Sequence, residues 1–205
     1  MRTLSVSICA CLMGVLAMPL DARIEQKSSS DLTVILDFKG PHSQTSMKEM
    51  EREAGLVLKS SGVRLSWRIL GQDPSAVYSE LVVMTFRGPC QYDPAPPRYD
   101  ESGPLALTRI TNGEILPFGE VDCTRVASSV RYAMSRGDFS RADQLVGRAM
   151  GRVVAHELVH MLTKSSQHGT DGVEKASLSG KQLIEEFLPL SAFDIGRLKQ
   201  ELAAR

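Results

Sequence analysis

The sequence predicts a single α+β domain: a mixed, twisted sheet with an antiparallel edge, one long helix and a small helical C-terminal part. Three observations lead there. The 205 residues are 42% hydrophobic and 23% charged, which is ordinary globular usage at the length of one domain. Segments of strand and helical character follow one another in the order strand, helix, strand, strand, hairpin, helix, long helix. The hairpin signal near residue 112 supplies an antiparallel arm.

The N-terminus reads as an address. Arg2 precedes an apolar run from Leu4 to Met18, about 15 residues, which suits a secretory signal and is short for a membrane span. Val15-Leu16-Ala17 fits a small-residue cleavage site well, and Leu20-Asp21-Ala22 fits it less well. Residues 1–22 are therefore expected to be a removed signal peptide and residues 23–205 the folded domain. That implies an exported protein, secreted or periplasmic, with no stable membrane anchor. Cys9 and Cys11 leave with the signal, so the mature chain keeps one pair, Cys90 and Cys123. In an oxidising compartment that pair is expected to form a disulfide, contributing roughly 3–4 kcal/mol by loop closure.

The elements follow in order. Asp31 to Phe38 is a β-branched apolar strand. Met47, Met50, Ala54, Val57 and Leu58 recur at helical spacing between charged residues, and Gly62 follows. Val63 to Leu70 alternates with period two, whereas Leu81 to Phe86 is continuously apolar and reads as the more buried strand. A proline-rich loop from Gly88 to Pro104 carries Cys90. Leu105–Thr111, Asn112-Gly113 and Glu114–Val121 make the hairpin, with Pro117 pointing to an edge position for its second arm. A helix is expected over 125–135. Ser140 and Asp143 form a capping-box pattern opening the long helix, which runs to about Lys164. Gly147, Gly151 and Ala155 leave a slim ridge along it. Ser179 with Gln182, and Ser191 with Asp194, open two shorter helices.

Composition narrows function. Lys plus Arg and Asp plus Glu both number 24, a net charge of zero, which argues against a non-specific nucleic-acid binder and against an acidic tail. Aromatic residues are only 5%, with the single Trp67, so stacking platforms for bases or sugars are scarce.

Chemistry concentrates at His156-Glu157-Leu158-Val159-His160 on the long helix. Residues four apart on a helix lie one above the other, so both imidazoles face one way. Zn²⁺ takes imidazole nitrogen at about 2.0–2.1 Å, and two such ligands one turn apart span it without strain. Glu157 is placed to hold an attacking water without being a ligand. A chance HExxH is expected roughly 0.005 times in a chain of this composition. His168 is the expected third ligand, with Gly169 and Gly172 allowing the chain to return sharply. Asp171, Glu174, Glu185 and Glu186 are acidic rivals for that role. His42 has no motif around it and reads as an ordinary side chain. Tyr92, Tyr99 and Tyr132 are candidate oxyanion stabilisers only by being phenols.

The segment HELVHMLTKSSQH resembles the zinc-dependent peptidases of the zincin group, and within it the metzincins, whose pattern is HExxHxxGxxH. The element order is similar to the minimal zincin catalytic domain. The resemblance implies a zincin-like fold, a Zn²⁺ ion held by His156, His160 and His168, Glu157 as general base, and a peptide or protein substrate. The substrate is expected to lie along the hairpin edge by strand addition. The sequence departs from the pattern in three places. Thr163 stands where the family has a helix-ending Gly, seven residues separate His160 from His168, and no Met follows Met161. The loop Gly172-Val173-Glu174-Lys175 takes the place of the family's methionine turn. The alternative reading is a catalytically silent, secreted zinc-binding or interaction domain on the same scaffold. A third reading is a secreted globular domain with no metal.

Overall fold

The computed structural model describes residues 30–73, 75–94 and 103–205, so the expected signal segment and Tyr99 lie outside the described residues. Five strands, β1 (Ser30–Phe38), β2 (Val63–Ile69), β3 (Leu81–Arg87), β4 (Ala106–Thr111) and β5 (Glu114–Asp122), form one sheet in the order β2-β1-β3-β5-β4. The β1–β2, β1–β3 and β3–β5 pairs are parallel, and β4 is the antiparallel edge. Among the described residues five α-helices accompany them: α1 (Gln44–Leu58), α2 (Cys123–Ala133), α3 (Ala142–Thr163), α4 (Gly180–Ile184) and α5 (Ala192–Ala203). The expected single α+β domain with a mixed sheet and an antiparallel edge is what the chain forms.

The period-two pattern places the core. Leu32, Val34 and Leu36 of β1 are buried beside Val82, Met84 and Phe86 of β3, in the register Val34↔Val82 and Leu36↔Met84. Phe86↔Val121 carries the same apolar row onto β5. α3 lies over this row and packs against α1, α2, β4 and β5, with Leu145, Met150, Val154 and Leu158 fully buried. The slim ridge on α3 has a partner. A Cβ on Gly147 would meet the Ser46 carbonyl oxygen at 2.3 Å, and one on Gly151 would meet that of Met50 at 2.7 Å, so α1 crosses α3 at backbone contact.

That close crossing encloses charge. Arg152 on α3 is fully buried; its Nε donates to Glu53 of α1 at 2.8 Å, and its terminal nitrogens donate to the Gln182 and Glu185 carbonyls at 2.5 and 2.8 Å. Arg148, one turn earlier, donates to the Ile184 carbonyl at 3.1 Å. Two guanidinium groups thus cap the carbonyl end of α4 and hold the C-terminal part against α3.

Cys90 and Cys123 form the expected disulfide, with Cα atoms 4.9 Å apart and both side chains buried. It ties the loop after β3 to the first residue of α2. Among the described residues, no helix is long and apolar enough to cross a membrane.

Three local expectations are corrected. Pro117 does not mark an edge: β5 lies between β3 and β4, and the edge is β4, the hairpin's first arm. The proline is accommodated because the β4–β5 ladder shifts register between Thr108 and Ile110, and β3 pairing with β5 begins only at Phe118. The Ser140–Asp143 capping box does not form. Ser140 lies in the 3-10 turn Phe139–Arg141, and the Asp143 carboxylate instead accepts from the Tyr92 backbone N–H at 2.7 Å. The expected helix over 125–135 begins two residues earlier, at Cys123, because Asp122 caps it by accepting from Arg125 N–H at 3.0 Å. The Ser179–Gln182 capping box and the Ser191 cap are both present.

Candidate metal centre

α3 carries His156 and His160 on one face, near its C-terminal end. The helix ends at Thr163, and Lys164 takes the left-handed conformation at φ 48°, the role a glycine usually fills. The turned chain presents the Ser165 carbonyl to His160, which donates from Nδ1 at 2.7 Å. The chain then runs out to His168 and returns through Gly172, at φ 64°, into a 3-10 turn over Gly172–Glu174. The Gly169 N–H donates to the Glu174 carbonyl at 2.8 Å, which pins the two arms of this excursion together. On the return arm the Val173 carbonyl accepts from His156 Nδ1 at 2.9 Å.

These two carbonyls fix both tautomers. A carbonyl only accepts, so the protons of His156 and His160 sit on Nδ1 and each Nε2 presents a lone pair. The two Nε2 atoms face each other at 3.0 Å. Two lone pairs at that distance repel unless a cation lies between them. A tetrahedral ion bound at about 2.0–2.1 Å separates its ligands by about 3.3 Å, so the pair is already close to ligating geometry. The His168 ring completes the set, with centroids 5.1 Å from His156 and 4.8 Å from His160. The ligand atoms of all three lie within 4.8 Å of one another, and this is the cluster of the described residues that can hold a metal ion.

The acidic rivals stand elsewhere. Glu174 is fully buried, with its Oε1 3.5 Å from His156 Nδ1, the nitrogen turned away from His160. Asp171, Glu185 and Glu186 are exposed and outside the cluster. His42 stacks on Phe38 with centroids 4.2 Å apart, an ordinary packing role. Tyr92 packs edge-on against Phe139, Tyr132 is exposed on α2, and neither lines the cavity in front of the histidines.

Glu157 is buried beside that cavity, and its Oε2 accepts from Thr108 Oγ1 at 2.6 Å. Burial pushes its carboxyl above the ordinary range, against the Thr108 hydrogen bond and the neighbouring imidazoles, which pull it down. Burial holds the His156 and His160 imidazoles below their ordinary range, which keeps them neutral and available as ligands. Burial likewise pushes the Glu174 carboxyl up to about 9, with Asp194 and Glu157 adding repulsion. The cavity, about 480 Å³, runs between β4 and α3 and is lined by Leu105, Leu107, Thr108, Ile115, the three histidines and Glu157.

Sequence reasoning placed the three histidines, which the structure brings together, and Glu157 beside them. It missed Thr108, whose partner lies 49 residues on in the chain, and no local signal marks that pairing. Val173 and Ser165, whose carbonyls orient the two rings, carry no local sequence signal for that role either. No family model, no curated protein and no solved structure matches the chain.

Proposed function

We propose that the chain is an exported zinc-dependent peptidase with a zincin-like catalytic domain. The observation that carries this reading is the pairing of a three-histidine cluster with a buried carboxylate that is not one of its ligands. A structural zinc site is usually closed by four protein ligands and needs no base beside it. Three imidazoles and no carboxylate suit zinc, and three protein ligands leave a coordination position open for chemistry. Lewis acidity is what a bound zinc ion supplies: it lowers the pKa of an attacking water and polarises a carbonyl.

The chain's own residues do the rest. Glu157 takes the proton from the attacking water and passes it to the leaving amine as the peptide C–N bond breaks. Thr108 holds that carboxylate in one rotamer through the 2.6 Å hydrogen bond. The Val173 and Ser165 carbonyls keep His156 and His160 in the tautomer that presents Nε2. Among the described residues β4 is the outer strand of the sheet beside the cavity, and an extended peptide adds there as a further strand without particular side chains. The disulfide and the apolar N-terminal run support export.

The silent metal-holding reading draws on the seven-residue spacer before His168 and on the lack of a methionine after Met161. A peptide-library digest separates the two. Wild-type protein is expected to cleave, and Glu157→Gln is expected to keep its zinc yet lose at least about a hundredfold in rate. Equal inertness of both proteins, each loaded with zinc, leaves the silent reading standing.

A further inference from the structure

The cavity wall has a charge that the proposed mechanism does not use. Lys175 lines the cavity along with the three histidines and Glu157. It is half-buried, and no carboxylate among the described residues pairs with it. Lys164, nearby in the chain, is by contrast tied down, its Nζ donating to the Ile115 carbonyl at 3.3 Å. Lys175 is also held in place. Its backbone bridges Gly169, and it lies two residues from Val173, whose carbonyl orients His156. The rest of that wall is apolar or small: Leu105, Leu107, Ile115, Ala176 and Leu178.

Charge arithmetic then sets the ligand's sign. Among the described residues that line the cavity, Glu157 is the one carboxylate, set against Lys175 and, in the loaded protein, a divalent cation. A cleft of one sign walled by apolar groups focuses its field and favours ligands of the opposite sign. An unpaired ammonium on a flexible four-carbon stem is a point-charge donor suited to a carboxylate.

We propose that Lys175 recognises a carboxylate on the substrate, so that the cleft selects peptides bearing an acidic side chain or a free C-terminus beside the scissile bond. The proposal deepens the peptidase reading of the site and rests on it. Peptide hydroxamates test it by binding, since the hydroxamate anchors on the metal and no turnover is needed. Three probes share one backbone: a glutamine amide, its glutamate counterpart, and the glutamine compound with a free C-terminal carboxylate. Titration calorimetry on the zinc-loaded protein is expected to show one acidic probe binding about tenfold tighter than the neutral amide. Which probe gains tells side chain from C-terminus. In Lys175→Met the ratio is expected to fall to about one, and in Lys175→Glu to invert. Equal binding of all three probes by wild type overturns the role of Lys175 while leaving the metal site intact. A ratio unchanged in Lys175→Met overturns it too. If no probe binds the zinc-loaded protein, the peptidase reading falls with it.

Discussion

Thr108, on the edge strand β4, donates its hydroxyl to the Glu157 carboxylate of α3 at 2.6 Å, joining residues 49 apart in the chain. The contact ties the strand on which a peptide would lie to the group that would move its protons. Thr108→Val keeps the shape and removes the donor. We expect zinc content to be unchanged and kcat/KM to fall roughly tenfold, the worth of one hydrogen bond to a charged group. Parallel metal analysis and steady-state kinetics check this, and an unaltered kcat/KM would remove Thr108 from the mechanism.

Metal retention should follow the protonation of the ligands. Burial holds His156 and His160 below the ordinary histidine range, so both stay neutral to lower pH than free imidazole does. Protons must displace the metal, and they bind these rings poorly. On acid titration, zinc is therefore expected to stay bound through about pH 6.5 and to leave only below it. Release monitored with a chromogenic chelator measures the midpoint. In the same assay His168→Ala is expected to lose zinc at higher pH, whereas Glu185→Ala and Glu186→Ala keep the wild-type midpoint.

Glu174 makes stability of the metal-stripped protein depend on pH. Its folded-state pKa, about 9, lies above the ordinary carboxyl value of 4.5. A raised acid keeps its proton in the fold and loses it on unfolding. Its contribution is therefore full below pH 4.5 and is lost as pH rises towards 9. Glu174→Gln imitates the protonated form at every pH. Urea melts are expected to show that the variant flattens the decline between pH 5 and 9 and is the more stable protein at pH 8, by about 1–3 kcal/mol. Parallel stability curves for the two proteins would mean that Glu174 is ionised in the fold.

Arg152 should be costly to remove alone. Its side chain is fully buried, and it satisfies Glu53 together with two carbonyls at the end of α4. Arg152→Ala is expected to destabilise by about 3 kcal/mol or more, because acceptors are left buried without a donor. Replacing Arg152 and Glu53 together by methionine is expected to recover part of that loss. Denaturant midpoints for the single and double variants decide it.

Much of this architecture was legible locally. The β-branched runs, the Asn112-Gly113 turn and the Ser179–Gln182 box each carry their own signal within a few residues, and each formed as read. His156, Glu157 and His160 were legible because helical spacing alone puts them together. What sequence could not yield depends on tertiary neighbours. Pro117 sits in an interior strand because a register shift spares it a ladder hydrogen bond, a property of the partner strand rather than of the proline. Ser140 fails to cap because Asp143 is drawn to Tyr92 across the fold. Thr108 looks like any strand threonine until α3 is laid beside it.

Metal stoichiometry of the purified protein tests the central claim most directly. After equilibrium dialysis against limiting free zinc, close to one zinc per wild-type chain is expected, and clearly less in His156→Ala and His160→Ala. Wild-type protein that stays metal-free, or that binds zinc no better than those variants, would contradict a centre built on His156, His160 and His168.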